Sequence, residues 1–436
     1  MKGATMTTGK NLSPERISEW FKLDNAGKVF PGQNTSTWSN VFRMTAIIDQ
    51  TVDPVVLRQA VIDTLPRFPC FNVEMHRGLF WHYFEKNRNV CPPILPDIKN
   101  PCTRVKWHEN GRFLFRVYYR ENRISVEFYH ALTDAFGVSR FLCTVVAQYL
   151  RLRGHNIPSG ESVLDINEPI SADELEDAFP RFASSKAKLK SRSVSVYHPA
   201  GKRLPAHSCN VTTGFLAINE LKTQSSKYNV TITEFLTGLL VDILYHKQLV
   251  EKKKQKIIGA QVPVNLRNSF PTKTLRNFSL CYQINLDPSM GDYTFEEIVK
   301  ETSLILRCTN NPKHLNAMMT GNIKKEANII TRIVPLVLKN IIMSIYFGIS
   351  AENTTSVLFS NVGLIKLPEE MKEHVKSFAL IPPHGLRSAA RTAAVGYNNV
   401  MSISFTDIFE ETDIEREFFT RLVKMGMHIK IESNKY

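Results

Sequence analysis

The sequence holds no C-x-x-C pair, no long uncharged apolar run and no internal repeat. Each absence removes a class of protein. The seven cysteines, Cys70, Cys91, Cys102, Cys143, Cys209, Cys281 and Cys308, are odd in number and widely scattered. That pattern excludes a disulfide framework, gives no support to a metal site, and predicts reduced, mostly buried thiols in a cytoplasmic protein. Without a recurring period of roughly 20–50 residues, solenoids and propellers are out. The opening residues, MKGATMTTGKNLSPER, lack an apolar core, so no secretory signal is expected. The most apolar stretch, Ile329–Ile349, is interrupted by Arg332, Pro335 and Lys339. A membrane span needs about 20 residues almost free of charge, so this stretch reads instead as a buried or amphipathic helix lining an apolar channel.

What is present describes a soluble globular chain of 436 residues, 43% of them apolar and 22% charged. That length exceeds the roughly 250–300 residues at which single cores stop growing, so two domains are expected. The net charge of +14 favours a polyanionic partner, whether nucleic acid, acidic membrane or a phosphate-rich cofactor. No sustained alternation of aromatic and basic residues supports nucleic acid.

The pattern mixes helices with long strands. A helix is predicted over Val55–Leu65, capped by Asp53-Pro54, with Leu57, Val61, Thr64 and Leu65 on one face. Phe113–Tyr119 and Ile124–Tyr129 alternate as strands of a hairpin joined by Arg120-Glu121-Asn122-Arg123. A helix follows Gly137. In the second half, strands are predicted at Thr213–Ala217 and Ile257–Val262, with helices over Ile218–Tyr228 and from Thr231 or Thr233 to Lys247. Between the halves, Glu161–Asp177 carries seven acidic residues and Ser184–Arg203 six basic ones and no acid. The division expected is therefore 1–183, a basic crossover linker 184–203, and 204–436, an α+β theme in each half.

The common catalytic motifs are missing: no G-x-S-x-G elbow, P-loop, H-E-x-x-H or G-x-G-x-x-G after a strand. What remains is His130-Ala131-Leu132-Thr133-Asp134, between a strand and a helix. Such junctions present side chains from a rigid element into a crevice. A histidine there suits general-base work, since its ordinary pKa of roughly 6.5 leaves it able to accept a proton at neutral pH. Spacing alone leaves open a plain polar turn. His198, His207 and His384 lack this placement.

The segment Tyr129–Gly137 resembles the H-x-x-x-D-G motif of the CoA-dependent acyltransferase superfamily that includes chloramphenicol acetyltransferase, plant BAHD enzymes and nonribosomal condensation domains. Within it the chain most resembles the alcohol acetyltransferase branch. Four further segments carry the likeness in the superfamily's order: Phe21–Pro31, Leu65–Pro69, Val262–Phe278 and Phe359–Pro368. The resemblance implies an α+β fold of two chloramphenicol-acetyltransferase-like subdomains, each a mixed sheet with helices, forming a central channel. It implies His130 as general base, Asp134 as a structural carboxylate, and Arg267 as its partner from the second half. Gly137 would let the motif turn tighten. Ser360 and Asn361 fall where the superfamily brings a segment close to the site, as oxyanion or acceptor contacts, or simply as a turn.

The implied reaction moves an acyl group, acetyl in the simplest case, from acyl-CoA to an alcohol, with acyl-CoA as co-substrate and no metal. Lys186, Lys188, Lys202 and Arg203 of the linker are candidates for the CoA phosphates, as is the run Lys252–Lys256; a solvated face is the alternative. Two departures stand out: Ala135 replaces a usual glycine, and Tyr129 replaces the second histidine of peptide-forming condensation domains. The D-F-G-W-G element of the plant enzymes is absent. A condensation-type enzyme taking its acyl group from a carrier protein, and a non-catalytic acyl-CoA- or partner-binding protein, remain as alternatives. Acyl chain length, acceptor and oligomeric state are not legible.

Overall fold

The computed structural model describes residues 19–35, 39–187, 189, 194–205, 208–251, 255–346, 352–385 and 390–435. Lys188, Lys252, Lys253, Lys254 and His207 lie outside the described residues. The first predicted helix runs over Pro54–Thr64; the Asp53 carboxylate accepts from the amides of Val55 and Val56. Leu57, Val61, Thr64 and Leu65 are all buried. The hairpin forms between Phe115–Arg120 and Arg123–Tyr129, with Phe115 opposite Phe128 and Arg120 opposite Arg123. Its turn is Glu121-Asn122 alone, tighter than expected, with Glu121 in the left-handed region at φ 49°. In the second half the helices are Ile218–Lys227 and Ile232–Val250, the latter opened by a Thr231/Glu234 capping box.

Three sheets organise the chain. A seven-stranded sheet belongs wholly to the second half, in the order Ser279–Leu286, Ile258–Asn265, Val357–Leu364, Ala390–Tyr397, Val400–Asp407, Asn210–Ala217, Ile429–Ser433. A small three-stranded sheet pairs Trp20–Lys22, His82–Lys86 and Val73–Arg77. The five-stranded sheet is built from Ile94–Pro96, Phe115–Arg120, Arg123–Tyr129 and Val41–Ile48, and is completed by Val375–Ile381 from the second half. That crossover strand runs antiparallel to Val41–Ile48, with Leu380 opposite Met44.

Each half has its own apolar core. The first recruits Val375, Phe378, Leu380 and Tyr397 from far along the chain. Described residues within 184–203 bond to the second half. Val196 bridges Ile257, Tyr197 is buried, and Ser184 and Ser185 bond Asn316 and Thr320.

The apolar stretch after residue 328 carries an amphipathic helix that lines the cavity, one of the two forms expected of it. It forms two helices, Ile329–Ile333 and Leu336–Tyr346, interrupted at Pro335, where the ring cannot continue a helical ladder. Only one face of the second helix turns inward, so the stretch is not buried as a whole.

Candidate active site

The segment after the strand Arg123–Tyr129 is pinned at both ends. The His130 amide donates to the Asn40 carbonyl, and Asp134 caps the helix Ala135–Leu152 by accepting from Phe136 and Gly137. The His130 ring stacks on Phe30 with centroids 4.6 Å apart and leans on Phe42 at 4.9 Å. Burial pushes its pKa below the ordinary value, against the opposing pull of its hydrogen bonds and the Asp134 charge. The ring is therefore neutral at neutral pH.

Asn277 decides which nitrogen carries the proton. Its Nδ2 donates to the His130 carbonyl at 3.0 Å and to Asp24 at 3.2 Å, which leaves Oδ1 as an acceptor, 3.1 Å from His130 Nδ1. Nδ1 must then be the protonated nitrogen, and Nε2 keeps its lone pair. Nε2 has no hydrogen-bond partner among the described residues, and His130 lines a cavity of about 840 Å³. Asp24, itself buried, also accepts from the amides of Gly27 and Asn277, and Arg276 stands 3.6 Å away. Neither Asn277 nor Asp24 was singled out by the sequence, although both lie inside segments that carry the resemblance.

Asp134 spends both oxygens on the protein. Oδ1 caps the helix; Oδ2 accepts from Arg267 at 2.8 Å and from the Phe278 amide at 2.9 Å. Arg267 stacks over Phe136 at 4.3 Å and donates further to the carbonyls of Thr274 and Arg276 and to Asn265 Oδ1. The structure thus brings His130, Asp134 and Arg267 together across 133 residues of sequence separation, and the same arginine shapes the loop that presents Asn277.

Gly137 leaves room on two sides, for the motif turn and for the second half. A Cβ here would lie 2.1 Å from Thr133 Oγ1 and 2.3 Å from the Leu275 carbonyl, which Thr133 itself bonds at 2.5 Å. The glycine lets the second half approach the motif helix. Gly137→Ala is expected to cost about 1–3 kcal/mol of stability through overpacking, read as a lower urea midpoint; an unchanged midpoint would contradict this contact.

Both halves line the cavity. Ser360 lies at its wall, its hydroxyl without a hydrogen bond among the described residues. Asn361 is committed: Nδ2 donates to Thr233 Oγ1 at 3.0 Å and Oδ1 accepts from Gly363. Cys281 is exposed to the cavity, and the protein surrounding it pushes its thiol up to about 11, so thiolate is scarce at neutral pH. Of the predicted phosphate contacts, Lys186, Lys202 and Arg203 are not among the lining residues, and Lys202 pairs with Glu410 at 2.9 Å. The cations at the cavity are Lys28, Arg140, Lys325, Lys339 and Arg391. A run of charge in the sequence does not say which surface it will occupy.

No family profile matches the sequence, and no curated protein is similar to it at the sequence level. Solved structures do share its fold. Polyketide synthase associated protein 5 from Mycobacterium tuberculosis superposes with a TM-score of 0.59 at 12% identity, over 96% of this chain and 98% of that one. TRI3 trichothecene 15-O-acetyltransferase from Fusarium sporotrichioides gives 0.57 at 11% identity, over 97% and 99%. The starter condensation domain of rhizomide synthetase, in complex with C8-CoA and Leu-SNAC, gives 0.55 at 11% identity, over 93% and 94%. The chain has the two-part α+β fold, chloramphenicol-acetyltransferase-like, of these condensation domains and acyltransferases.

Proposed function

We propose that the chain transfers an acyl group, acetyl in the simplest case, from acyl-CoA to an alcohol, with His130 as general base. One observation carries this reading: the ring is held through Nδ1 by Asn277 while Nε2 is open to a cavity built from both halves. The acceptor hydroxyl donates its proton to Nε2 as its oxygen attacks the thioester carbonyl. The Ser360 hydroxyl is the better-placed donor to the resulting oxyanion, because the Asn361 amide is already engaged. Collapse breaks the carbon–sulfur bond, and the departing thiolate takes the proton back from the imidazolium. A thiol of pKa about 8.5 leaves readily, so no acyl-enzyme is needed, in keeping with the raised Cys281.

Asp134 and Arg267 act as positioning residues, joining the motif helix to the loop that carries Asn277. Arg140 and Lys325, at the cavity, replace the linker lysines as the proposed phosphate contacts. The fold shared with TRI3 and with a domain bound to C8-CoA supports this class of chemistry.

The test is thiol release from acetyl-CoA with a panel of alcohols and amines, followed by mass spectrometry. An acylated alcohol is the expected product. Release only with a carrier-protein thioester would favour the condensation-type alternative, and the absence of both thiol release and CoA binding would contradict the proposal. The pH dependence has a definite sign. Protonation blocks the base, and burial lowers its pKa, so kcat/KM is expected to rise with pH through a midpoint below roughly 6.5. A midpoint above that value would contradict a buried, neutral base.

A further inference from the structure

The helix Leu336–Tyr346 is amphipathic in the opposite sense from a helix covering a soluble protein. Its inward face, Leu336, Lys339, Asn340 and Met343, lines the cavity and includes two polar side chains. Lys339 is buried there, 3.5 Å from the centre of the Trp81 ring, with Nζ donating to the Phe80 carbonyl. Its outward face is aliphatic: Val337, Leu338, Ile341, Ile342 and Ile345 are each between 52% and 72% exposed. The adjoining loop continues the patch. Leu79, 73% exposed, accepts from the Leu336 amide at 2.9 Å, and Phe80 is exposed beside it. Scattered exposed apolar residues are ordinary, but a contiguous aliphatic face marks an interaction surface.

The charge around the patch points to one kind of partner. From Ala327 to Ala351 the sequence contains no Asp or Glu. Lys324, Lys325 and Arg332, on the two helices that precede Leu336–Tyr346, are exposed, and the neighbouring Glu326 is engaged by Lys28. The eighteen residues MKGATMTTGKNLSPERIS offer no aliphatic run to match this face. Eleven residues of helix are too short to cross a bilayer, and among the described residues no helix is long and apolar enough to do so. A short helix with an aliphatic face and a basic margin can lie in a lipid interface, apolar side down, with the cations among the headgroups.

We propose that this face docks the protein on an anionic lipid surface, with the helix Leu336–Tyr346 and Leu79-Phe80 in contact with the lipid. The opposite side of the same helix walls the cavity, so docking brings the cavity beside the lipid phase. An apolar acceptor or a long acyl chain then reaches His130 with little passage through water; only this last consequence rests on the acyl-transfer reading.

The test is flotation of the full chain with vesicles of phosphatidylcholine and phosphatidylglycerol. Wild type is expected to partition at least ten-fold more than the triple variant I341Q/I342Q/I345Q. Val55→Gln, at an exposed position elsewhere, should float as wild type does. Hydrogen exchange on wild type should slow selectively in peptides covering 336–346 when vesicles are added, a reading that does not depend on any variant. Wild type remaining unbound, or the triple variant floating equally, would overturn the proposal. So would a wild-type dimer that the triple variant dissolves without any vesicle binding, since the face would then join two copies of the chain.

Discussion

His130→Ala is expected to lower kcat for acyl transfer by about 10²–10⁴-fold, the usual worth of a positioned general base, while CoA binding persists. The reasoning is geometric. Nε2 is the ring atom left open to the cavity, so removing the ring removes the proton acceptor and leaves the cavity walls in place. His130→Gln, which retains a hydrogen-bonding group but cannot take up the proton, should be similarly slow. Activity within a few-fold of wild type in both variants would move the base elsewhere. Loss of CoA binding would mean that the residue shapes the cavity instead.

The second large effect is on stability. Arg267→Met should destabilise the fold by about 3–5 kcal/mol, as expected when one partner of a buried ion pair is removed and the other remains. Asp134 would keep its bonds to Phe278 and the helix amides but lose its countercharge. The carbonyls of Thr274 and Arg276 would lose a donor at the same time. Because those residues lead directly into Asn277, residual activity should fall as well. Asp134→Asn should be milder, since the amide can still cap the helix. Denaturant unfolding measures both, and a midpoint unchanged in Arg267→Met would contradict a structural role for the pair.

The legible part of the site was the part that is local in sequence or carried by a motif. His130 and Asp134 sit four residues apart across a strand-to-helix junction, and Arg267 lies inside a matching segment, Val262–Phe278. Asn277 and Asp24 were not legible as site residues because their roles exist only through contacts spanning 147 and 253 residues. An asparagine after an arginine has no periodicity to betray it. The same limit applies to the fold. Nothing in the residues of Val375–Ile381 names Val41–Ile48 of the other half as their partner. Helical spacing in Leu336–Tyr346 separates two faces without saying which turns inward; the face that lines the cavity carries Lys339 and Asn340. Gly137 was noticed for its place in the motif turn, where Thr133 does crowd it, but the carbonyl of Leu275 that also approaches it comes from the second half and could not be read from the motif.

The claim on which the mechanism rests is that His130 is neutral, protonated on Nδ1 and unprotonated on Nε2. Nitrogen-15 NMR of histidine-labelled protein at neutral pH, with the His130 signals assigned by comparison with His130→Gln, reads this directly. The account predicts a pyrrole-type Nδ1 and a pyridine-type Nε2, with the Nδ1 assignment weakened in Asn277→Ala. A ring protonated on Nε2, or on both nitrogens, would contradict it.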